Sequence, residues 1–379
     1  MKRVLLISYY YPPMPAVGAL RAAGLAKYLP EYDWEVTVLH GPLENKGRLV
    51  HRIFNIDPNQ NMLAQAQELQ SKVRIPMEWA LRLYAEWFAY PDTTGNWVKY
   101  AIEKGKRTLL EQKMDAVIST SSPVSCHLAA TALKGHHNII PWIADFRDLW
   151  TQNHYYPYSR IRKHREKKLE LETIKGANVL TTLSEPFSKA LRALHGKPVV
   201  TVTNGYDPDD IKEATTPDRR ILTYTGSIYR GYQSPEPLFR EILEDTLLCL
   251  KENTMPSVRT CWDEIRFYGP RYDWLDKLAK RYKEHITIKQ YGMVSRAEAL
   301  QAQREAHTLL LLKWHGIEGG TTSKLFEYMA AKKPILAIGL PDPYVDKIIE
   351  DANRGDIEQY SQREMAKKFA ILLDQAVSQ

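Results

Sequence analysis

Long hydrophobic runs are missing from this sequence of 379 residues, and no transmembrane helix is predicted. Met1–Ser8 resembles the start of a signal peptide, but its apolar segment is short and Tyr9–Pro13 interrupts it. A buried first strand is therefore the preferred interpretation. Cysteine is also scarce, and the three cysteines form no metal-binding or redox pattern, which is typical of reduced cytoplasmic proteins. They are Cys126, Cys249 and Cys261.

A large excess of charge of one sign is absent as well. The 52 basic and 45 acidic residues give a net charge of +7 and an isoelectric point near 9.0. This moderate excess fits an anionic ligand, an anionic membrane surface or neither, and it does not predict nucleic-acid binding. No Gly-x-Gly-x-x-Gly follows the first predicted strand, which disfavours a dinucleotide cofactor. We therefore expect no cofactor.

The sequence does contain two series of alternating strands and helices. The first begins with a strand at Lys2–Ser8, a helix at Ala19–Leu29 and a strand at Glu35–Leu39. The polar stretch Asp209–Arg219 is predicted to be a linker, and a second series starts with a strand at Ile221–Tyr224. This pattern predicts an α/β fold with two Rossmann-like, doubly wound halves.

The most informative segment is Leu309–Ile338. Its four consecutive leucines predict a strand buried on both faces of a parallel sheet. A loop with three glycines follows, and a residue in Thr321–Ser323 is predicted to cap a helix at Lys324–Ala331. A helix N-terminus after a glycine-rich loop is a candidate anion site. Glu327 lies one turn beyond Ser323, where it either binds a ribose diol or is a solvated helix residue.

Polar residues follow the predicted strand Ile139–Ile143. They are Asp145, Arg147 and Asp148. Ligands of open α/β sheets bind at the carboxyl ends of strands, so these three side chains are candidates for contacting a ligand. The alternative is a structural ion network.

Two further loops contain glycines that allow a ligand to approach the backbone. Gly18 precedes the first helix, and Arg21 in the first turn of that helix either points into the same crevice or is solvated. After the strand at Ile221–Tyr224, Gly226 and Ser227 permit close approach of a phosphate, and Arg230 could neutralise it.

Two segments have surface alternatives. Met77–Tyr90 is rich in aromatic residues, which favours core packing, with a surface that receives a lipid as the alternative. Arg160–Lys168 contains six basic residues and one acidic residue, which is typical of a patch for anionic lipid head groups. A charged, solvated helix is the alternative there.

Taken together, five motifs resemble the retaining glycosyltransferases of family 4, which have the GT-B fold, and most closely the bacterial branch that builds surface polysaccharides. The most specific is Thr322–Ala330, Thr-Ser-Lys-Leu-Phe-Glu-Tyr-Met-Ala. The others are Tyr11-Pro12-Pro13 with Gly18, Asp145–Asp148, Asn204–Asp207 and Thr225–Ser227. The likeness covers nearly the whole chain. It implies two Rossmann-like domains facing across a cleft, 1–207 and 208–357, with a C-terminal helix at 358–379 that returns to the first domain.

The resemblance implies roles for the candidate residues. Glu327 matches the glutamate that binds the ribose hydroxyls, and the helix start at Ser323–Lys324 with the Gly226–Arg230 loop matches the diphosphate cradle. The residues assigned to catalysis are Asp145, Arg230 and Lys324. Those assigned to donor binding are Gly18, Gly226, Ser227, Glu318, Gly320, Thr322, Ser323 and Glu327. Those assigned to orienting the acceptor or the sugar are Arg21, Arg147 and Asp148. No metal site is implied.

The sequence departs from the family pattern at three positions. The family commonly has two glutamates separated by seven residues, but Glu318 precedes Glu327 by nine positions, and the expected first position is Gly319. Either Glu318 acts from a shifted loop or this function is absent. Asp145 stands where many relatives have a histidine, and Arg230 lacks the lysine that usually follows it.

The function implied is that of a retaining, metal-independent hexosyltransferase. Its donor would be a nucleoside diphosphate sugar, UDP- or GDP-linked, that carries a hexose or amino-hexose. Its acceptor would be a glycan or a polyprenyl-linked molecule, and the protein would be cytoplasmic or peripheral on the inner face of the membrane. The alternatives are a sugar-nucleotide 2-epimerase of the same fold and a non-catalytic nucleotide-binding subunit that recruits a partner enzyme.

Overall fold

The computed structural model describes residues 1–14, 16–42, 86, 90–136, 140–154, 156, 158–213, 217–229, 231–252 and 261–378. Of the helical segment predicted at Met77–Tyr90, only Glu86 and Tyr90 are among them, and Arg230 lies outside them. The chain forms two compact units. The first comprises Met1–Thr203 with Met365–Gln379, and the second comprises Asn204–Glu364.

The first unit is built on a six-stranded parallel sheet with the order β2-β1-β3-β4-β5-β6. The strands are β1 (Lys2–Ser8), β2 (Trp34–His40), β3 (Ala116–Ser121), β4 (Trp142–Phe146), β5 (Val179–Thr182) and β6 (Val199–Thr201). The helices described between them are α1 (Ala19–Tyr28), α2 (Trp97–Glu111), α3 (Ser125–His136), α4 (Arg160–Ile174) and α5 (Glu185–His195).

Both faces of this sheet are covered, as expected for a parallel sheet. Leu5 and Ile7 of β1 belong to a core with α2 and α3, whereas Val4 and Leu6 belong to a second core with α1 and the C-terminal helix. Alternate residues of one strand therefore point to opposite layers. The unbroken apolar run Val4–Ile7 results, because these four residues are buried on one face or the other.

The C-terminal helix, Gln362–Val377, packs on the first sheet. Phe369 and Leu373 are fully buried in the core that contains α1. Trp34 Nε1 donates a hydrogen bond to Asp374 Oδ1 at 3.0 Å, and Lys2 Nζ lies 2.7 Å from the same oxygen. The last residues of the chain thus complete the core of the unit that the first residues begin.

The second unit is built on a five-stranded parallel sheet with the order β11-β10-β7-β8-β9. Its strands are β7 (Ile221–Thr225), β8 (Glu264–Tyr268), β9 (Thr287–Gly292), β10 (Thr308–Leu312) and β11 (Ile335–Ile338). Its described helices are α6 (Glu236–Glu252), α7 (Asp273–Tyr282), α8 (Arg296–Arg304), α9 (Ser323–Ala330) and α10 (Pro343–Arg354), and the C-terminal helix is α11.

The leucine run of β10 lies inside this sheet, between β11 and β7. Leu309 and Leu311 pack with α9 and α10, and Leu310 and Leu312 pack with α6 and α7. The prediction of a strand buried on both faces is confirmed. The predicted α/β fold with two Rossmann-like, parallel sheets is confirmed as well.

One predicted strand was misplaced. The sequence places a strand at Ile139–Ile143 with Asp145 in the loop after it, but β4 runs from Trp142 to Phe146. Asp145 pairs in register with Thr120 and Thr181 of the neighbouring strands. Register is set by the neighbouring strands of a sheet rather than by the local apolar pattern, which explains the shift. Asp145 is therefore a strand residue inside the sheet.

The Asn204–Asp207 motif brings two distant segments of the second unit together. Tyr206 N–H donates to Tyr360 O at 3.0 Å, and Gln362 N–H donates to Tyr206 O at 2.8 Å. A Cβ atom at position 205 would lie only 2.5 Å from the carbonyl carbon of Ser361. Gly205 is therefore needed because the backbone of another segment occupies the space of a side chain. None of the described helices has the length and apolarity needed to cross a membrane.

Candidate functional site

The N-terminus of α9 follows the loop that leaves the carboxyl end of β10. Thr322 is the N-cap residue, and its side chain makes no capping hydrogen bond. Within the described part of the chain, the N–H groups of Ser323 and Lys324 have no acceptor, and the hydroxyl groups of Thr321 and Thr322 are buried without a partner. An uncapped helix start carries partial positive charge, and such a group of donors suits an anion.

The side chain of Lys324 lies over the loop that follows β7. Its Nζ atom is 3.7 Å from the centre of the Tyr224 ring, a cation–π contact. Gly226 has a φ of +99°, and a Cβ atom there would lie 3.2 Å from Lys324 Cε. Tyr224 donates a hydrogen bond to Ser227 O at 2.7 Å and so holds this loop in place. Glycine at 226 thus serves both the backbone conformation and the approach of the lysine.

The protonation of Lys324 depends on this environment. Burial lowers its pKa to about 7, and the nearby carboxylate of Glu327 only partly opposes this effect. Among the described residues no carboxylate lies within ion-pair distance of its ammonium group. A polyanion bound at the N-terminus of α9 would supply the missing negative charge. The Gly226 loop, Lys324 and the α9 N-terminus together form a candidate diphosphate site.

Glu327 forms an ion pair with an arginine of the preceding helix. Arg296, the first residue of α8, places Nη1 2.6 Å from Glu327 Oε1 and Nη2 2.8 Å from Asp210 Oδ2. Burial raises the pKa of Glu327, and the Arg296 charge partly reverses this. Since only 24% of the Glu327 side chain is exposed, it differs from an ordinary solvated helix residue.

The glycine-rich loop holds the remaining donor-binding candidates. Glu318 is exposed, and no hydrogen bond or ion pair joins its side chain to the described residues. Gly319 has a φ of +70° and donates its N–H to Asp342 Oδ2 at 2.8 Å. A Cβ atom on Gly320 would lie 3.1 Å from Trp314 Cδ1. The loop is therefore anchored through Gly319, and the role predicted for Glu318 stays a prediction.

In the first unit, Asp145 and Arg21 form a fully buried ion pair. Arg21 Nε and Nη2 each lie 2.8 Å from a carboxylate oxygen of Asp145, and Thr120 and Thr181 each donate a hydroxyl to it at 2.7 Å. Burial alone would raise the pKa of Asp145, but the Arg21 charge and these hydrogen bonds outweigh it and lower the pKa. With four donors, this carboxylate is saturated by the protein itself. The structure favours the ion network considered as an alternative for Asp145, and its catalytic role stays a prediction.

Arg147 and Gly18 are brought into contact. Arg147 Nη1 donates to Gly18 O, while Nε and Nη2 donate to the carbonyl oxygens of Ser121 and Ser122. The guanidinium group thus ties the Gly18 loop to the end of β3. Asp148 is exposed and, among the described residues, makes no hydrogen bond. It is the carboxylate of this segment that is open to a ligand.

One basic side chain of α4 is buried and the others are exposed. Arg162 is buried, with Nε 2.6 Å from Glu166 Oε1 and its guanidinium group 3.5 Å over the ring of Tyr158. The other five basic side chains are exposed, namely Arg160, Lys163, Arg165, Lys167 and Lys168. The prediction of a lipid-binding patch therefore concerns five side chains rather than six.

Several residues of the second-unit site were not singled out from the sequence. Tyr224 lies under Lys324, and Arg296 with Asp210 holds Glu327. Tyr224 could have been noticed because it precedes the Gly226 loop directly. Arg296 and Asp210 left no local signal, because their contact with Glu327 exists only in the folded chain. Asp207 and Asp209 have Asp-x-Asp spacing, and Asp207 Oδ1 accepts the Asp209 N–H at 3.0 Å in a turn.

Comparison with known proteins identifies the fold. No protein-family model matches the chain, and no curated protein matches its sequence. Among solved structures, HepE of Anabaena in complex with UDP and glucose has 11% sequence identity and a TM-score of 0.52, with 100% of this chain and 96% of that chain covered. Trehalose 6-phosphate synthase of Burkholderia multivorans has 12% identity and a TM-score of 0.59, with 100% and 99% covered.

A third structure, a putative UDP-N-acetylglucosamine 2-epimerase from Listeria monocytogenes, has 12% identity and a TM-score of 0.48, with 97% and 91% covered. That score is too low to support a common fold. At identities of 11% and 12%, the first two likenesses establish the fold alone. The chain has the GT-B fold, and membership of glycosyltransferase family 4 stays a prediction.

Proposed function

We propose that the chain is a glycosyltransferase whose second unit binds a nucleoside diphosphate sugar. The observation that carries this proposal is the diphosphate site at the N-terminus of α9. There, unpaired N–H groups, the ammonium of Lys324 and the open backbone at Gly226 come together without a carboxylate partner among the described residues. HepE, which has the same fold, was solved in complex with UDP and glucose.

The nucleotide would lie along α9. The diphosphate accepts hydrogen bonds from the N–H groups of Ser323 and Lys324, and the ribose hydroxyls donate to Glu327 one turn further on. Arg296 positions this carboxylate through its ion pair and is itself anchored by Asp210. Arg230, four residues after Gly226 in the sequence, is the second cation that we assign to the diphosphate.

The proposed reaction is transfer of a hexose or amino-hexose with retention of anomeric configuration. The bond between the anomeric carbon and the diphosphate breaks, and the acceptor hydroxyl forms the new glycosidic bond on the same face. The departing phosphate oxygen takes the acceptor proton. Lys324 and the α9 N-terminus stabilise the charge that develops on the leaving group, and they are in place before the reaction. We assign no metal and no cofactor to this step.

The acceptor that we propose is a glycan or a polyprenyl-linked molecule of a surface polysaccharide. The resemblance to family 4 supports this choice, and the exposed basic side chains of α4 suit an anionic membrane surface that carries such an acceptor. Vesicle sedimentation with and without anionic lipid tests the membrane part of the proposal. Binding that is absent, or that does not weaken as salt is raised, contradicts it.

The proposal is tested by calorimetry with UDP and GDP on the wild type and on Glu327→Ala. Loss of a charged partner of the ribose diol costs about 1.5–3 kcal/mol, so we expect a loss of affinity of about tenfold or more. The matched control is Glu350→Ala on α10, where an exposed i,i+4 pair with Arg354 is removed. Unchanged nucleotide affinity in Glu327→Ala would exclude the assigned role.

The reaction type needs a separate measurement. Donor and candidate acceptors are incubated together, and the anomeric configuration of the product is read by NMR. Incubation with the donor alone distinguishes a transferase from an epimerase, because only an epimerase converts the donor sugar without an acceptor. Conversion without acceptor, or a product of inverted configuration, refutes the proposed reaction.

A further inference from the structure

Three aromatic side chains cluster at the carboxyl end of the second sheet and have no part in the site described above. Tyr229 and Tyr232 lie in the loop after β7, and Trp314 lies in the loop after β10. The Trp314 ring centre is 4.9 Å from that of Tyr229 and 6.4 Å from that of Tyr232, with interplanar angles of 44° and 69°. We call these three residues the aromatic cluster.

The three side chains of the cluster are partly exposed to solvent. Tyr229 is 55% exposed and Tyr232 is 38% exposed, and Trp314 is partly exposed. Large aromatic groups that remain open to water are typical of surfaces that bind a ligand. Packing between the two loops explains the contacts among the rings, but it does not explain why more than half of the surface of Tyr229 is exposed.

The two loops that carry the cluster are tied to each other. His315 N–H donates to Tyr232 O at 2.8 Å, and Gln233 Nε2 donates to Leu312 O at 2.8 Å. Gln233 also accepts the N–H of Tyr229 at 3.3 Å. The backbones of the two loops are therefore fixed to each other before any ligand binds, which reduces the entropy lost on binding.

The cluster adjoins the loop that leads into the diphosphate site. A Cβ atom on Gly320 would lie 3.1 Å from Trp314 Cδ1, and Gly320 comes three residues before the first residue of α9. Glu327 comes four residues after that residue, which is about 6 Å further along the helix axis. Along the chain, Trp314 and Glu327 stand on opposite sides of the helix start, and we place the hexosyl group of a bound nucleotide sugar on the Trp314 side.

We infer that the aromatic cluster is the platform on which the hexosyl ring of the donor lies. This inference rests on the proposed function. A pyranose ring presents C–H groups on one face, which pack on an aromatic ring and leave the hydroxyl groups free at the edge for hydrogen bonds. A nucleobase could also stack on these rings, but it is attached to the ribose and lies on the Glu327 side of the diphosphate.

The test compares a nucleotide with its sugar derivative. Affinities of UDP and UDP-glucose are measured by calorimetry for the wild type, Trp314→Ala and Tyr229→Ala, and GDP and GDP-mannose are used if the first pair does not bind. We expect the affinity for the sugar derivative to fall about tenfold while that for the nucleotide stays within about twofold. Tyr291→Ala is the matched control, because Tyr291 is a 44% exposed aromatic residue of β9.

Each other outcome counts against the inference in a distinct way. An equal loss of affinity for nucleotide and sugar derivative indicates a base platform or a structural role and overturns it. No change in either affinity overturns it as well. If the wild type binds no nucleotide at all, the proposed function fails first. Because Tyr229 is more than half exposed, Tyr229→Ala leaves the core intact and decides the matter if Trp314→Ala does not fold.

Discussion

The protonation of Lys324 predicts how donor binding depends on pH. With a pKa of about 7 in the free protein, this lysine is about 90% charged at pH 6 and about 10% charged at pH 8. A bound diphosphate supplies negative charge at the ammonium group and raises the pKa toward 10.5, the ordinary value. Binding above pH 7 must therefore take up a proton.

The size of the change in UDP affinity follows from this proton uptake. Between pH 6 and pH 8 the affinity for UDP should fall about tenfold, and it should fall about tenfold more by pH 9, because the free lysine has to be protonated first. The terminal phosphate of a nucleotide has a pKa near 6, so it adds little slope above pH 7. UDP therefore binds more weakly as the pH rises above the pKa of Lys324 in the unliganded protein.

The assay is calorimetry of UDP binding at pH 8 in buffers with different enthalpies of ionisation. The dependence of the apparent enthalpy on the buffer gives the number of protons taken up, and we expect about 0.9 per nucleotide. Lys324→Met keeps much of the side-chain volume without the titrating group, and its affinity should be lower and independent of pH. A constant affinity from pH 7 to pH 9 in the wild type, or a proton uptake near zero, would refute the reasoning.

Two predictions concern stability. Asp145→Asn leaves the Arg21 guanidinium group buried without its charged partner and should lower the free energy of unfolding in urea by about 3–5 kcal/mol. Glu35→Gln, which breaks the exposed pair with Arg3, should change it by less than about 1 kcal/mol, and equal effects would contradict the argument. Gly205→Ala should cost about 1–3 kcal/mol because its Cβ atom meets the backbone of Ser361. Gly135→Ala on α3, where nothing lies within 4 Å, should be neutral or stabilising, and a similar loss at both positions would contradict the steric explanation.

The Asp145–Arg21 pair also illustrates how a sequence motif can combine structural and functional residues. Asp145 and Asp148 are three positions apart, yet one is fully buried and saturated by donors, whereas the other is exposed. Arg147 lies between them and binds backbone carbonyls, including that of Gly18. The motif therefore organises the Gly18 loop, and Asp148 is its most accessible charged group.

The sequence by itself determined the features that depend on neighbouring residues. Apolar runs and their lengths predicted the parallel strands, because a strand covered on both faces has no polar position, as Leu309–Leu312 shows. The glycine-rich loop and the start of α9 predicted an anion site, because helix dipole and unpaired N–H groups are local properties of the backbone.

Tertiary structure alone decided which side chains meet and how they titrate. Arg21 and Asp145 are 124 positions apart, and their pairing depends on the register of the sheet. Lys324 lies over the ring of Tyr224, Arg296 pairs with Glu327, and Trp314 contacts Tyr229, and each of these contacts joins different loops or helices. Burial and charge act through space, so a sequence pattern identifies candidate residues and only packing assigns their environment.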